Sequence, residues 1–242
     1  MQYEDQNFRR TGVIVGVLFI IATVFLFVAE AIYKPGLTPP DILEKAALAQ
    51  TRIGLGILIE LGCVLAIPLI AIVLFPVLRL VNPMLAVGYV AFRLFEAALF
   101  ASMEIDKMLV VAMAKGVAAN PTIQSDTLEV LAQALVDGQA ISGTTGPIYN
   151  LVFVVGMLML NWMLWQSRIV PRWIAIWGLV SAAVLGGIAI TVFVAEVPDA
   201  VAIALIAPLA LQEMVFALWL IFKGFDFSSL EHQQHQTSEI PS

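Results

Sequence analysis

The sequence predicts an all-α fold, a polytopic six-transmembrane-helix bundle with an external amphipathic helix. Three observations carry that expectation. Of 242 residues, 61% are apolar and only 12% charged, about half the roughly 25% charge of a soluble domain. The mean hydropathy is +0.96. Six stretches reach the ~20 mostly apolar residues that a helix rising ~1.5 Å per residue needs to cross a ~30 Å hydrocarbon core. The same counts speak against disorder, and the single cysteine, Cys63, excludes an internal disulfide scaffold. A net charge of -6, from 12 Lys and Arg against 18 Asp and Glu, with no basic patch, gives no nucleic-acid partner.

The first crossing covers about 12–33. Ala29-Glu30-Ala31 imitates a signal-peptidase site, but the apolar run is too long for a signal peptide and Glu4 and Asp5 dilute its positive end, so the segment reads as a retained span. Thr38-Pro39-Pro40-Asp41 then reads as a helix N-cap with prolines in the first turn, leading a helix from Ile42 to Gln50 into the second crossing. That crossing, about 53–78, is interrupted by Pro68. A short turn, 80–83, leads to the third crossing, about 84–113.

An external helix is expected from 125 to 136, with Leu128, Leu131, Ala132 and Leu135 on one face and Gly138 ending it. It reads as a packed lid. The fourth crossing is about 147–165 and a short hairpin, 166–172, leads to the fifth, about 173–195, whose Gly178, Ala182 and Gly186 form a small-residue packing face. Gly12 and Gly16 form a shorter one on the first crossing. The sixth, about 200–222, contains Pro208. Residues 1–227 thus form one transmembrane domain, and 228–242, with the only histidines, His232 and His235, read as a disordered, solvated cytoplasmic tail.

Arg9, Arg10, Arg79, Arg168, Arg172 and Lys223 fall on one side, against Lys34, Lys45, Arg52 and Lys115 on the other. Excess Lys and Arg marks the cytoplasmic side. The expectation is a multi-pass protein of a prokaryotic inner membrane with both termini cytoplasmic. Trp162, Trp165, Trp173, Trp177 and Trp219 fall near that same interface, where an indole keeps its ring in lipid and its N–H in water.

The informative residues are ionisable ones inside the crossings: Glu60, Arg93, Glu96, Glu104, Asp106, Lys107 and Glu213. Each costs about 3 kcal/mol at the bilayer centre on insertion scales. At ~100° per residue, Arg93, Glu96, Glu104 and Lys107 share an arc of roughly 80° with Tyr89 and Phe100, while Asp106 points elsewhere. That stripe must face the interior, with Arg93–Glu96 and Glu104–Lys107 paired at i,i+3. Depth counted along each helix groups Arg93 and Glu96 with Glu213 and Gln212 in an inner cluster, and Glu60 with Glu104 and Lys107 in an outer one. Tyr149 and Asn150 are expected at the outer level. Five carboxylates against two cations favour a hydrated or ligand-bearing cavity; the ease of pairing favours structural bridges that fix helix register.

Enzyme signatures are sparse. The crossings contain no histidine for a metal or haem, and Gly54-x-Gly56 lacks the strand context of a phosphate loop. The Asn-Pro pairs at 82–83 and 120–121 do not form matched re-entrant half-helices. No cofactor is expected.

Three blocks carry a resemblance: Pro76-Val-Leu-Arg-Leu-Val-Asn-Pro83 with Ala91-Phe-Arg-Leu-Phe-Glu-Ala97; Ser167-Arg-Ile-Val-Pro-Arg-Trp173 with Trp177-Gly178; and Leu211-Gln-Glu-Met-Val-Phe-Ala-Leu-Trp219 with Lys223-Gly224-Phe225. They resemble the bacterial membrane family called domain of unknown function 4386. The resemblance implies a multi-helix inner-membrane protein and transfers no catalytic role. Arg93, Glu96 and Glu213 lie inside these blocks; Glu60, Glu104 and Lys107 do not. The functional expectation is a non-enzymatic protein with a central polar cavity, acting as a small-solute or ion-coupled carrier or an intramembrane ligand binder. Its partners would be the lipid bilayer and a small solute, ion or lipid. The alternatives are an accessory or sensory protein with structural salt bridges and, behind it, an intramembrane lipid-modifying enzyme.

Overall fold

The computed structural model describes residues 2–120, 125–140 and 146–228, and these contain helices and no strand. The expected tail lies, past Ser228, outside the described residues. Eight α-helices follow in order: α1 Gln2–Tyr33, α2 Ile42–Leu48, α3 Gln50–Val81, α4 Pro83–Ala119, α5 Ser125–Asp137, α6 Gly146–Ser167, α7 Arg172–Thr191 and α8 Asp199–Phe222. Six of them, α1, α3, α4, α6, α7 and α8, are long and apolar enough to cross a bilayer. Their outward faces remain apolar, as Leu58, Leu65 and Ile72 on α3 illustrate. That is the surface lipid requires, and the chain is an integral membrane protein of the multi-pass kind.

The crossings pack as a ring in chain order, α1 on α3, α3 on α4, α4 on α6, α6 on α7 and α7 on α8, and α8 closes back onto α1. Short turns enforce the neighbours. At the α3–α4 turn the Asn82 side chain accepts from the N–H groups of Met84 (3.1 Å) and Leu85 (3.0 Å), with Pro83 in the first helical position. This satisfies the free donors of α4 at a sharp reversal. The small-residue faces mark the close approaches. A Cβ on Gly16 would stand 2.5 Å from the Ala217 carbonyl oxygen, and one on Gly178 2.1 Å from the Asn161 side chain. So α1 meets α8, and α7 meets α6, at separations that only glycine permits.

The start of α1 and the end of α8 share one face of the bundle, here the terminal face. There the Arg9 guanidinium donates to the carbonyls of Leu220 (3.1 Å) and Phe222 (3.2 Å), which α8 leaves unsatisfied at its end. The Asp226 N–H reaches the Ile169 carbonyl at 2.9 Å. The Asp226 carboxylate accepts from the Ser228 N–H at 3.0 Å, and that hydrogen bonding holds it below the usual carboxylate range.

The opposite, loop face departs from expectation in three ways. Thr38 does not cap a helix: its hydroxyl donates to the Lys34 carbonyl (2.6 Å) and α2 begins only at Ile42. The N–H groups of Ile42 and Leu43 donate instead to the Glu129 carboxylate of α5. The helix also does not run on into the second crossing, because it breaks at Ala49 before α3 starts. Finally, Leu128, Ala132 and Leu135 of α5 pack inward together with Val136, while Leu131 points outward, 49% exposed. Docking Glu129 onto α2 rotates the buried face of α5 away from Leu131. The crossing bounds shift too. At 37 residues, α4 runs past the expected 113 to carry α2 and α5, whereas α7 stops at Thr191 instead of 195.

Candidate functional site

The stripe on α4 is buried along its length: Tyr89, Arg93, Glu96, Phe100, Glu104 and Lys107 all face inward. It divides into two ionic clusters. Toward the loop face, Lys107 Nζ lies 2.6 Å from Glu60 Oε2 of α3 and 2.6 Å from Glu104 Oε1. The ammonium sits 4.4 Å from the centre of the Tyr33 ring, and the Tyr33 hydroxyl donates to Glu60 Oε1 at 3.3 Å. One cation thus bridges two carboxylates under an aromatic cover.

Nearer the bundle centre, Arg93 Nη1 donates to Glu96 Oε2 at 2.8 Å, and Glu96 Oε1 accepts from the Tyr149 hydroxyl at 3.2 Å. The guanidinium lies 5.7 Å from the centre of the Phe153 ring. Tyr149 therefore belongs to the inner cluster and not to the outer level. The register explains why: Gly156 of α6 lies beside Arg93 and Gly88 beside Met159, so Tyr149, two turns nearer the loop face than Gly156, reaches Glu96. With only 22 residues against the 37 of α4, α6 starts too deep for Tyr149 to reach Lys107.

These groups border a cavity of about 310 Å3 to which all six crossing helices contribute wall. Arg93, Glu96, Tyr149, Asn150 and Glu213 supply its polar part; Phe19, Leu26, Ile67 and Ile206 are among its apolar residues. None of Glu60, Glu104 and Lys107 lines it. Glu213 and Arg93 share this wall, yet no hydrogen bond or ion pair joins Glu213 to Arg93 among the described residues. Gln212 turns away and donates to the Ile174 carbonyl at 3.3 Å. Tyr89 lies deeper toward the terminal face, inside a hydrophobic core with Leu74, Leu160 and Phe216.

The cavity exists because α1 and α8 part company. Near the terminal face they touch at Gly16 and through the edge contact of Phe19 with Phe216, ring centres 5.8 Å apart. Beyond that level α1 leans on α3, with Phe25 against Gly62 and Tyr33 against Gly56. Over the same stretch α8 leans the other way, with Ile206 and Leu209 packed with Val154 and Leu185 of α6 and α7. Ala22, Thr23 and Leu26 of α1 and Ala210 and Glu213 of α8 consequently line the cavity instead of a helix seam. The cavity therefore borders the gap between α1 and α8.

The family model described as domain of unknown function (DUF4386) matches residues 14–224. The chain belongs to that family. The DUF4386 match runs from α1 through α8, so it includes both ionic clusters and the whole cavity wall. No curated protein and no solved structure matches the chain.

Phe153, Cys63 and Thr23 also line the cavity, although no charge or motif marks them in the sequence. Phe153 carried one signal, its i,i+4 spacing from Tyr149 on the face turned to α4. Thr23 carried none, since its role depends on where α8 lies. Among the described residues no group of three His, Cys, Asp or Glu is placed to hold a metal ion. What the arrangement offers is a largely apolar recess between the helices whose polar end holds a guanidinium, a phenol, an amide and two carboxyl groups.

Proposed function

We propose that this membrane protein binds a small molecule from the bilayer in the cavity between its crossings and acts as an intramembrane ligand binder or carrier. The observation that carries this reading is the cavity itself: about 310 Å3, apolar at Phe19, Leu26, Ile67 and Ile206 and polar at Arg93, Glu96, Tyr149 and Glu213. Ligand sites have this make-up, an apolar recess with a few convergent polar groups, and volumes from about 300 Å3 upward. Ionisable side chains kept inside a membrane default to function unless they are closed off in pairs. The outer cluster, bridged by Lys107, lines no part of the cavity and reads as structural; the inner one lines it.

The test is to transfer the full chain from its host membrane into nanodiscs and identify by mass spectrometry what stays bound. Wild type should retain a small amphiphile in near-stoichiometric amount, and Ala22→Phe, which fills the entrance, should lose it. Identical lipid profiles for the two proteins would refute the reading.

One observation favours a second reading. Glu213 lines the cavity beside the gap between α1 and α8, with no ion pair to Arg93 among the described residues, and a carboxyl group reached from the bilayer is what an intramembrane lipid-modifying acid–base enzyme would require. Conversion of the bound molecule, abolished in Glu213→Gln, would favour it; a ligand recovered unchanged would not. The basic residues of the terminal face, among them Arg9, Arg168, Arg172 and Lys223, support placing both termini in the cytoplasm of a prokaryotic inner membrane. The closed ring supports treating residues 1–227 as one domain. Reporter fusions at the two termini check the placement.

A further inference from the structure

We propose that the ligand of the cavity is an uncharged, oxygen-bearing, single-chain amphiphile, its head at Arg93 and Asn150 and its tail leaving between α1 and α8. This rests on the binding role proposed above and adds the chemistry of what is bound.

The first argument is unfilled hydrogen-bonding capacity. Arg93 is 4% exposed, yet its guanidinium makes one hydrogen bond, to Glu96, and its Nε has no partner. Asn150, 7% exposed, lines the same wall, and its buried amide nitrogen also has no partner. Buried polar groups are rarely left so, and a guanidinium can only donate. A ligand that completes these side chains therefore has to bring acceptor oxygens to the wall. A hydroxyl suits Asn150 with its amide turned either way, because it both donates and accepts.

The second argument is charge. Arg93 is balanced by Glu96 at 2.8 Å, which leaves Glu213 as a surplus carboxyl group. An anionic head would face two carboxyl groups, a repulsion weakly screened inside a bilayer, and a cationic one would compete with Arg93 for Glu96 and so break the pair at 2.8 Å. An uncharged head leaves the balance undisturbed, and its hydroxyl can donate to Glu213. The third argument is size. At ~30 Å3 per water-sized group, a cavity of about 310 Å3 holds roughly ten non-hydrogen atoms. That is a head and the first carbons of one chain, too little for the head and two chains of a phospholipid. Phe19, Leu26 and Ile206 supply apolar wall for those carbons.

The test uses the full chain in phosphatidylcholine nanodiscs, titrated by calorimetry with three ten-carbon probes: 1-decanoylglycerol, decanoate and decyltrimethylammonium. The uncharged probe should bind saturably and at least tenfold more tightly than either charged one. Asn150→Leu should weaken it about three- to tenfold, the loss of one hydrogen bond, and Ala210→Phe should abolish it. Decanoate or decyltrimethylammonium binding as tightly, and blocked by Ala210→Phe, would overturn this inference and leave the binding role standing. Binding of all three probes that is indifferent to Ala210→Phe would overturn both. The comparison of probes on wild type needs no variant, so it decides even where Asn150→Leu does not fold.

Discussion

The outer and inner clusters sit on one helix and start from the same local device, a basic and an acidic side chain three residues apart on α4, yet one is closed and the other opens on a cavity. Lys107 and Glu104 are joined from across the ring by Glu60 and covered by Tyr33. Arg93 and Glu96 meet Tyr149, but the carboxyl group that shares their cavity wall, Glu213, makes no ion pair with Arg93 among the described residues. The difference lies in the neighbouring backbone. Glycines at 56 and 62 bring α1 onto α3 beside the outer cluster, whereas α1 and α8 diverge beyond Phe19 beside the inner one. Pairing between two turns of one helix is a local matter; whether the pair becomes a structural bridge or a site depends on whether a third helix closes over it.

The largest expected effect is on the outer cluster. Lys107→Met leaves Glu60 and Glu104 buried without a cation and should cost about 3–5 kcal/mol, read as a collapse of the thermal melting temperature or loss of folded protein. Adding Glu60→Gln and Glu104→Gln to it should restore most of that stability, because an uncharged set of similar volume replaces the bridge. Should the triple variant stay as unstable as the single one, the outer cluster is not a self-contained bridge.

Next comes the seam that ends the cavity. Gly16→Leu forces α1 from the Ala217 carbonyl and should cost about 2 kcal/mol, again by melting temperature. Glu213→Gln inverts this pattern. With no ion pair to lose, it should change stability by less than about 1 kcal/mol while altering ligand retention. A loss comparable to Lys107→Met would mean that Glu213 is structurally paired after all. The smallest effect belongs to Asp226. Its carboxyl group is held below the usual 3.8 by the Ser228 hydrogen bonds, so its contribution is present above that value and fades as pH falls through the lowered one. Asp226→Asn should remove this acid limb and little else.

Much of this was legible in the sequence. The 3.6-residue period placed Arg93, Glu96, Glu104 and Lys107 on one buried face, and the short turns set the ring order. Depth counting joined Glu60 to Lys107 correctly, since both lie on long, adjacent helices. It misplaced Tyr149 because the start of α6 is set by packing against α4 and not by a common membrane boundary. It grouped Glu213 with Arg93 and Glu96, and the three share the cavity wall, but equal depth says nothing about separation across a ring, so it could not tell a shared wall from an ion pair. The Glu129 cap on α2 and the parting of α1 from α8 carry no one-dimensional signal; both depend on how non-neighbouring segments lean.

The most direct measurement is an experimental structure of the full chain in lipid nanodiscs. The account predicts elongated density with its broader end beside Arg93 and Asn150 and its tail passing between Thr23 and Ala210. Packing of α1 against α8 over that level, with Arg93 bridged to Glu213 and no density between the helices, would contradict it.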